Sequence, residues 1–250
     1  MRQIKDIYYT DAKSSECSLD ILLPDESIKA SNKIFVYFHG GSLKSGDKSD
    51  ALSFAPFLTS NGIAIASANY RMYPNSKYPE FLTDSAAAVA WICKHIKQYG
   101  DYSEIYVGGS SAGGYISMML CFDKSYLNIH GIDPDSLAGF IHDAGQPTCH
   151  FNVLRERNID SRRIIVDESA PIWHIGTRNI RVPMLFIVSD NDLTNRYEQT
   201  MMLLKTLEHF NHDMSKIKSI VLHGSHCHYL GTTDENGINI FGKTVYEFIG

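Results

Sequence analysis

With 250 residues, 44% of them hydrophobic, the chain can bury about 70–75% of its unfolded surface around one core. A net charge of -5 leaves no basic footprint for nucleic acid or an anionic membrane. No run approaches the roughly 18 apolar residues of a membrane span, Met1-Arg2-Gln3-Ile4-Lys5-Asp6 lacks a signal peptide's apolar stretch, and five scattered cysteines suit reduced thiols, so a cytoplasmic location is expected.

In chain order, Ile4 to Tyr8 and Ser18 to Leu22 read as two leading strands. Further strands are expected near 34–38, 63–68, 105–107, 137–142, 184–188 and 217–222, alternating with helical patterns. That is the rhythm of an α/β fold, a mostly parallel eight-stranded sheet with helices on both faces. A helix over Asp84 to Tyr99 places Val89, Ile92, Cys93 and Ile96 on one stripe, with Asp84 suited to cap its start and Trp91 serving as packing. A later helix should bury Leu203, Leu204, Leu207 and Phe210, and the last one Phe241, Val245, Phe248 and Ile249. Without repeats or a Pro/Ser-rich linker, one domain over 1–250 is expected, and the least regular stretch, 144–182, reads as a small cap that shapes specificity.

The most specific motif is the run Ile105 to Gly114. Gly109, Ser111 and Gly113 match GxSxG, a strand-to-helix turn whose small residues let the backbone hold a serine hydroxyl clear of the sheet. A phosphate-binding loop fits worse: Gly114-Tyr115 stands where a Walker loop needs Lys then Ser/Thr, and the spacing misses GxGxxG. A serine is a weak nucleophile at neutral pH, so this reading demands a base, an acid to orient it, and oxyanion donors. Candidates stand after three other strand runs. His39-Gly40-Gly41-Ser42 follows the run 34–38; alone it would be an ordinary glycine turn. Ser189-Asp190-Asn191-Asp192 follows 184–188, where aspartates also serve as turn formers, and His223-Gly224-Ser225-His226-Cys227-His228 follows 217–222. His223, His226, Cys227 and His228 are zinc-ligand types, but structural zinc sites use separated ligand pairs and no CxxC or HExxH partner exists, so no metal is expected.

These residues carry a resemblance. The HGGS loop with Gly46-Asp47-Lys48, Tyr70-Arg71 followed by Tyr78-Pro79-Glu80 and Asp84, the GSSAGG elbow and the order Ser, Asp, His resemble the esterase/lipase branch of the α/β-hydrolases, related to hormone-sensitive lipase and small carbohydrate-ester esterases. The resemblance covers most of the chain. It implies Ser111 as nucleophile, the N–H groups of Ala112 and of Gly40 or Gly41 as oxyanion donors, Asp192 as acid and His226 as base. His226 is preferred to His228 because it follows Gly224 by two positions, and Asp192 to Asp190 because the family acid sits a few residues past its strand. Ser42 replaces the family's usual third glycine.

The activity implied is hydrolysis of small soluble esters of short acyl chains, with acetylated or feruloylated carbohydrates as candidate substrates and no cofactor. Candidate pocket residues are Ser42, Ser110, Gln146, Trp173 and His228, although Trp173 is first expected in the core and the arginines of 144–182 on a solvated face. An amidase or formamidase, an acyltransferase and a non-catalytic binding module are the alternative readings on the same fold.

Overall fold

The computed structural model describes residues 1–177 and 180–250. Among them, eight strands form one sheet: β1 Arg2–Tyr8, β2 Ser18–Leu23, β3 Lys33–Phe38, β4 Ala64–Ala68, β5 Glu104–Ser110, β6 Gly139–Asp143, β7 Met184–Asn191 and β8 Ile217–Ser225. Their order is β1-β2-β4-β3-β5-β6-β7-β8. Only β1 and β2 break the parallel arrangement, β2 pairing antiparallel with both β1 and β4. The helices in chain order are α1 Ala55–Ser60, α2 Glu80–His95, α3 Ala112–Phe122, α4 Ser125–Asn128, α5 Phe151–Glu156, α6 Arg196–His209 and α7 Ile240–Ile249.

Strand β3 shows why its sequence reads as one unbroken apolar run. Its side chains alternate between two cores, Ile34, Val36 and Phe38 on one face of the sheet, Phe35 and Tyr37 on the other, so neither parity is free to be polar. The first face is covered by α2, α3 and α6. The second receives α1 and α7, where Phe54 and Phe241 meet edge to face at 4.9 Å under Tyr37. In α7, Phe241, Val245 and Ile249 are buried, contributing about 1.5–3 kcal/mol each, whereas Phe248 is half-buried against Tyr106. Helix α3 is buried on every side, and it starts directly at the end of the central strand β5.

Two expectations about helices are corrected. Helix α2 begins at Glu80, just after Pro79, so Asp84 lies inside it rather than at its cap. The buried Asp84 carboxylate instead accepts from the Arg71 backbone N–H and takes the Arg71 guanidinium in a two-pronged grip at 2.8 Å on each oxygen. Phe210 follows α6 as its C-terminal cap residue and is exposed, because the helix has ended before its side chain can turn inward. Leu203 and Leu207 are buried as expected, with Leu204 partly covered. Segment 144–182 runs from the end of β6 to the start of β7 and carries α5 and a short 3-10 turn, Pro171–His174.

Candidate active site

The site lies where the carboxyl ends of β3, β5, β7 and β8 come together. Ser111 occupies the turn between β5 and α3 with φ 55° and ψ -109°, backbone angles that cost a non-glycine residue about 1–3 kcal/mol. The turn tolerates no bulk beneath it. A Cβ on Gly113 would sit 1.9 Å from the Phe38 carbonyl oxygen, so the end of β3 presses directly on the first turn of α3.

Two histidine–aspartate pairs follow from the paired ends of β7 and β8, and they differ in environment. His226 reaches Ser111 Oγ with Nε2 at 2.8 Å and Asp192 Oδ1 with Nδ1 at 2.5 Å. The Asp192 side chain is sealed from solvent and also accepts from the Leu193 and Ser189 N–H groups. Burial alone would raise its carboxyl; the His226 hydrogen bond and charge, with those two N–H groups, outweigh burial and hold it below the usual carboxylate range. The second pair, His223 with Asp190 at 2.7 Å, is exposed and faces solvent. Asp190 also accepts from the Gly224 N–H; it lies within β7, at the register shift against β8, rather than in the turn expected for it.

The HGGS loop is fixed from below. The His39 ring is buried, stacks on Tyr70 at 4.5 Å and donates from Nδ1 to the Gly40 carbonyl at 2.8 Å, while the Tyr70 hydroxyl donates to the His39 carbonyl. Burial lowers the His39 pKa despite that carbonyl, keeping the ring neutral. Among the described residues, the Gly40 and Gly41 N–H groups meet no protein acceptor, and the Ala112 N–H, at the first position of α3, has no partner within its helix. Ser42, in place of a third glycine, takes φ 61°, the left-handed region a glycine would occupy, and its carbonyl is held by Asn152 from α5.

A cavity of about 720 Å³ opens over Ser111 and His226. Gly40, Gly41, Ser42 and Ser110 line it, together with Tyr37, Leu193, Cys227 and Leu230. The other candidates lie elsewhere. Gln146 lines a neighbouring cleft that shares Leu193 with the first cavity. Trp173 lines neither, and at 53% exposure it is not a core residue either, because it stands on a short 3-10 turn at the surface. His228 is exposed in a depression on the far side of the β8 end; Cys227 takes φ 54°, which sends the side chains before and after it in different directions.

Beneath the site, Asp143 and Tyr229 escaped the sequence reading, and Cys227 was read only as a zinc-ligand type. Asp143, the last residue of β6, is wholly buried, and the Tyr229 hydroxyl donates to it. Burial raises its carboxyl to about 6, against the opposing pull of Ser110, Tyr229 and His226. The Cys227 thiol, pushed up by burial, lies 3.7 Å from His226 Nε2. The available signal was a buried strand run ending in an aspartate.

Hydrolase 3 of Catharanthus roseus is 32% identical over 141 residues, which is 46% of this chain and 44% of that protein. Carboxylesterase NlhH of Mycobacterium tuberculosis is 37% identical over 90 residues, covering 35% and 28% respectively. The matches thus span less than half the length of these curated relatives. Esterase B from Lactobacillus rhamnosis superposes over 99% of this chain and 84% of its own with a TM-score of 0.79 at 15% identity. A truncated carbohydrate esterase from gut microbiota does so over 99% and 96%, with a TM-score of 0.77 at 18% identity. At such identities the structures establish the α/β-hydrolase fold. The BD-FAE family profile matches residues 19–154, more than half of the chain, including the HGGS loop and the serine elbow, and the chain belongs to that family.

Proposed function

We propose that this chain is a serine hydrolase of carboxylic esters. The observation that carries the reading is the continuous relay from Ser111 Oγ through both His226 nitrogens to the sealed Asp192 carboxylate. Ser111 attacks the ester carbonyl carbon as its proton passes to His226 Nε2, and the charge that develops on oxygen is received by the Gly40, Gly41 and Ala112 N–H groups. His226 then gives that proton to the leaving alcohol oxygen as the C–O bond breaks, leaving an acyl group on Ser111. Water, deprotonated by His226, attacks the acyl-enzyme, and the proton returns to Ser111 as the acid leaves. Asp192 holds the ring in the tautomer with Nδ1 protonated and stabilises the imidazolium.

The surroundings of the cavity support a substrate class. Among the described residues, segment 144–182 carries one helix, the six-residue α5, whose Asn152 holds the Ser42 carbonyl, and no long amphipathic helix of the kind that docks on a lipid interface. Small soluble esters with short acyl chains fit best, and carbohydrate esters are favoured by the names of the structural relatives. The test is kcat/KM over p-nitrophenyl esters of increasing chain length beside acetylated and feruloylated sugars. Acetyl to butyryl esters should exceed chains of about ten carbons. A steady rise with chain length would make it a lipase, and failure on every ester with cleavage of an activated amide would move it to the amidase reading.

A further inference from the structure

The cleft beside the catalytic cavity has a composition that the reaction at Ser111 does not require. It measures about 510 Å³ and is walled by Arg155, Arg162, Arg163 and Arg196, with no aspartate or glutamate in its lining. Leu193, next in the chain to the sealed Asp192, lines both spaces, so the cleft adjoins the cavity over Ser111. Arg155, Arg162 and Arg163 are exposed, whereas Arg196 is buried. Arg162 pairs with Asp160, but Arg155, Arg163 and Arg196 have no carboxylate within 4 Å among the described residues. Arg155 donates to Ser161 and Asn152 and lies over the Phe151 ring. Arg196 is 5% exposed, donates from Nη1 to the Ala144 carbonyl, and its remaining guanidinium N–H groups meet no acceptor among the described residues.

A guanidinium taken out of water without a counter-ion is costly unless something anionic shares its site. The carboxylate that acts on Arg196 most, Asp192, is engaged by His226. We propose that this cleft is an anion subsite, and that the preferred substrates are esters carrying a carboxylate on the portion that passes Leu193. The proposal rests on the ester hydrolase reading and narrows it. Planar guanidinium groups offer paired N–H donors that match a carboxylate's two oxygens, and Gln199, Thr194 and Asn195 in the same wall add neutral polar groups beside it.

The carboxylate could stand on the acyl or the alcohol side, and two ester pairs separate these. Mono-p-nitrophenyl glutarate against its methyl ester probes the acyl side; 4-acetoxybenzoate against its methyl ester probes the alcohol side. In one pair, the ratio of anionic to neutral kcat/KM should fall about tenfold in the Arg155→Gln/Arg163→Gln protein, and by less in Arg163→Gln alone. Ratios equal to wild type in both pairs, in folded variants, overturn the proposal. Calorimetry with monomethyl glutarate and dimethyl glutarate on the Ser111→Ala protein reads the cleft without turnover. Tighter binding of the monoanion that is lost in Ser111→Ala/Arg155→Gln/Arg163→Gln supports the subsite, and no preference for it overturns the subsite. Failure to hydrolyse even the neutral esters would instead count against the hydrolase reading, with the calorimetry still judging the cleft.

Discussion

Asp192 lies 2.5 Å from His226 Nδ1, whereas Asp190, two positions earlier, is spent on His223 and the Gly224 N–H. The two acids can therefore be told apart by kinetics. Asp192→Asn should lower kcat about 10⁴-fold, since the amide imposes the wrong tautomer on the ring, while Asp190→Asn stays within about threefold of wild type. The reverse ranking, measured on p-nitrophenyl acetate, would show that the surface pair is the working one.

Ser111→Ala should lose about 10⁴-fold or more in kcat, with Ser110→Ala much milder, because Ser110 lines the cavity without contacting His226. Ser111→Gly should be as inactive but more stable than wild type by about 1–3 kcal/mol, since glycine relieves the backbone at φ 55°. A fluorophosphonate probe mapped to any serine other than 111 contradicts the assignment.

His226→Ala and His228→Ala should separate just as clearly. Only His226 touches Ser111, and His228 opens onto a different depression. A larger loss of kcat in His228→Ala would reverse the choice of base.

Gly113→Ala should destabilise the protein by about 3 kcal/mol or more, because its methyl group meets the Phe38 carbonyl oxygen at 1.9 Å and both partners are backbone. Urea unfolding measures this, and a loss below about 1 kcal/mol would mean that β3 and α3 can part freely.

Asp143 gives stability a pH dependence of stated sign. Its carboxyl is raised to about 6 in the folded protein, by burial first, so between about pH 4 and pH 6 the folded state holds more protons than the unfolded chain. Stability from this group is therefore full at low pH, falls as pH rises through that window, and costs about 3 kcal/mol above it. Asp143→Asn keeps an oxygen for the Tyr229 hydroxyl and removes the titration. Relative to wild type, the variant should gain stability as pH rises through the window; a difference independent of pH sinks the account.

Much of this architecture was legible because period and punctuation are local. All eight strands lie within a few residues of their expected places, since the central ones are short apolar runs ended by glycine or a polar turn. The misses share another cause. Asp84 looked like a cap because its partner, Arg71, is 13 residues away and only tertiary structure joins them. Trp173 looked buried because size and apolarity do not say which side of a short 3-10 turn faces the core. Arg155, Arg162 and Arg163 are exposed as expected; that they share one wall with the buried Arg196 was not legible, because that wall forms only when α5, the following loop and the start of α6 meet. Asp143 was overlooked because its strand appeared to end one residue earlier, at His142.

Strand β8 is bound to the sheet on one side only, and most of its residues are partly or fully exposed. Yet the histidine that must touch Ser111 hangs one residue beyond its end. Ser111 and the HGGS loop sit in the interior of the sheet, so the two ends of the Ser111–His226 hydrogen bond belong to regions of unequal cooperativity. On warming, fraying of this margin should silence the enzyme while the centre still holds its native hydrogen bonds. Amides of β8 should then exchange with deuterium well before those of β3 and β5, and activity should fade at a lower temperature than the global melt, returning on cooling.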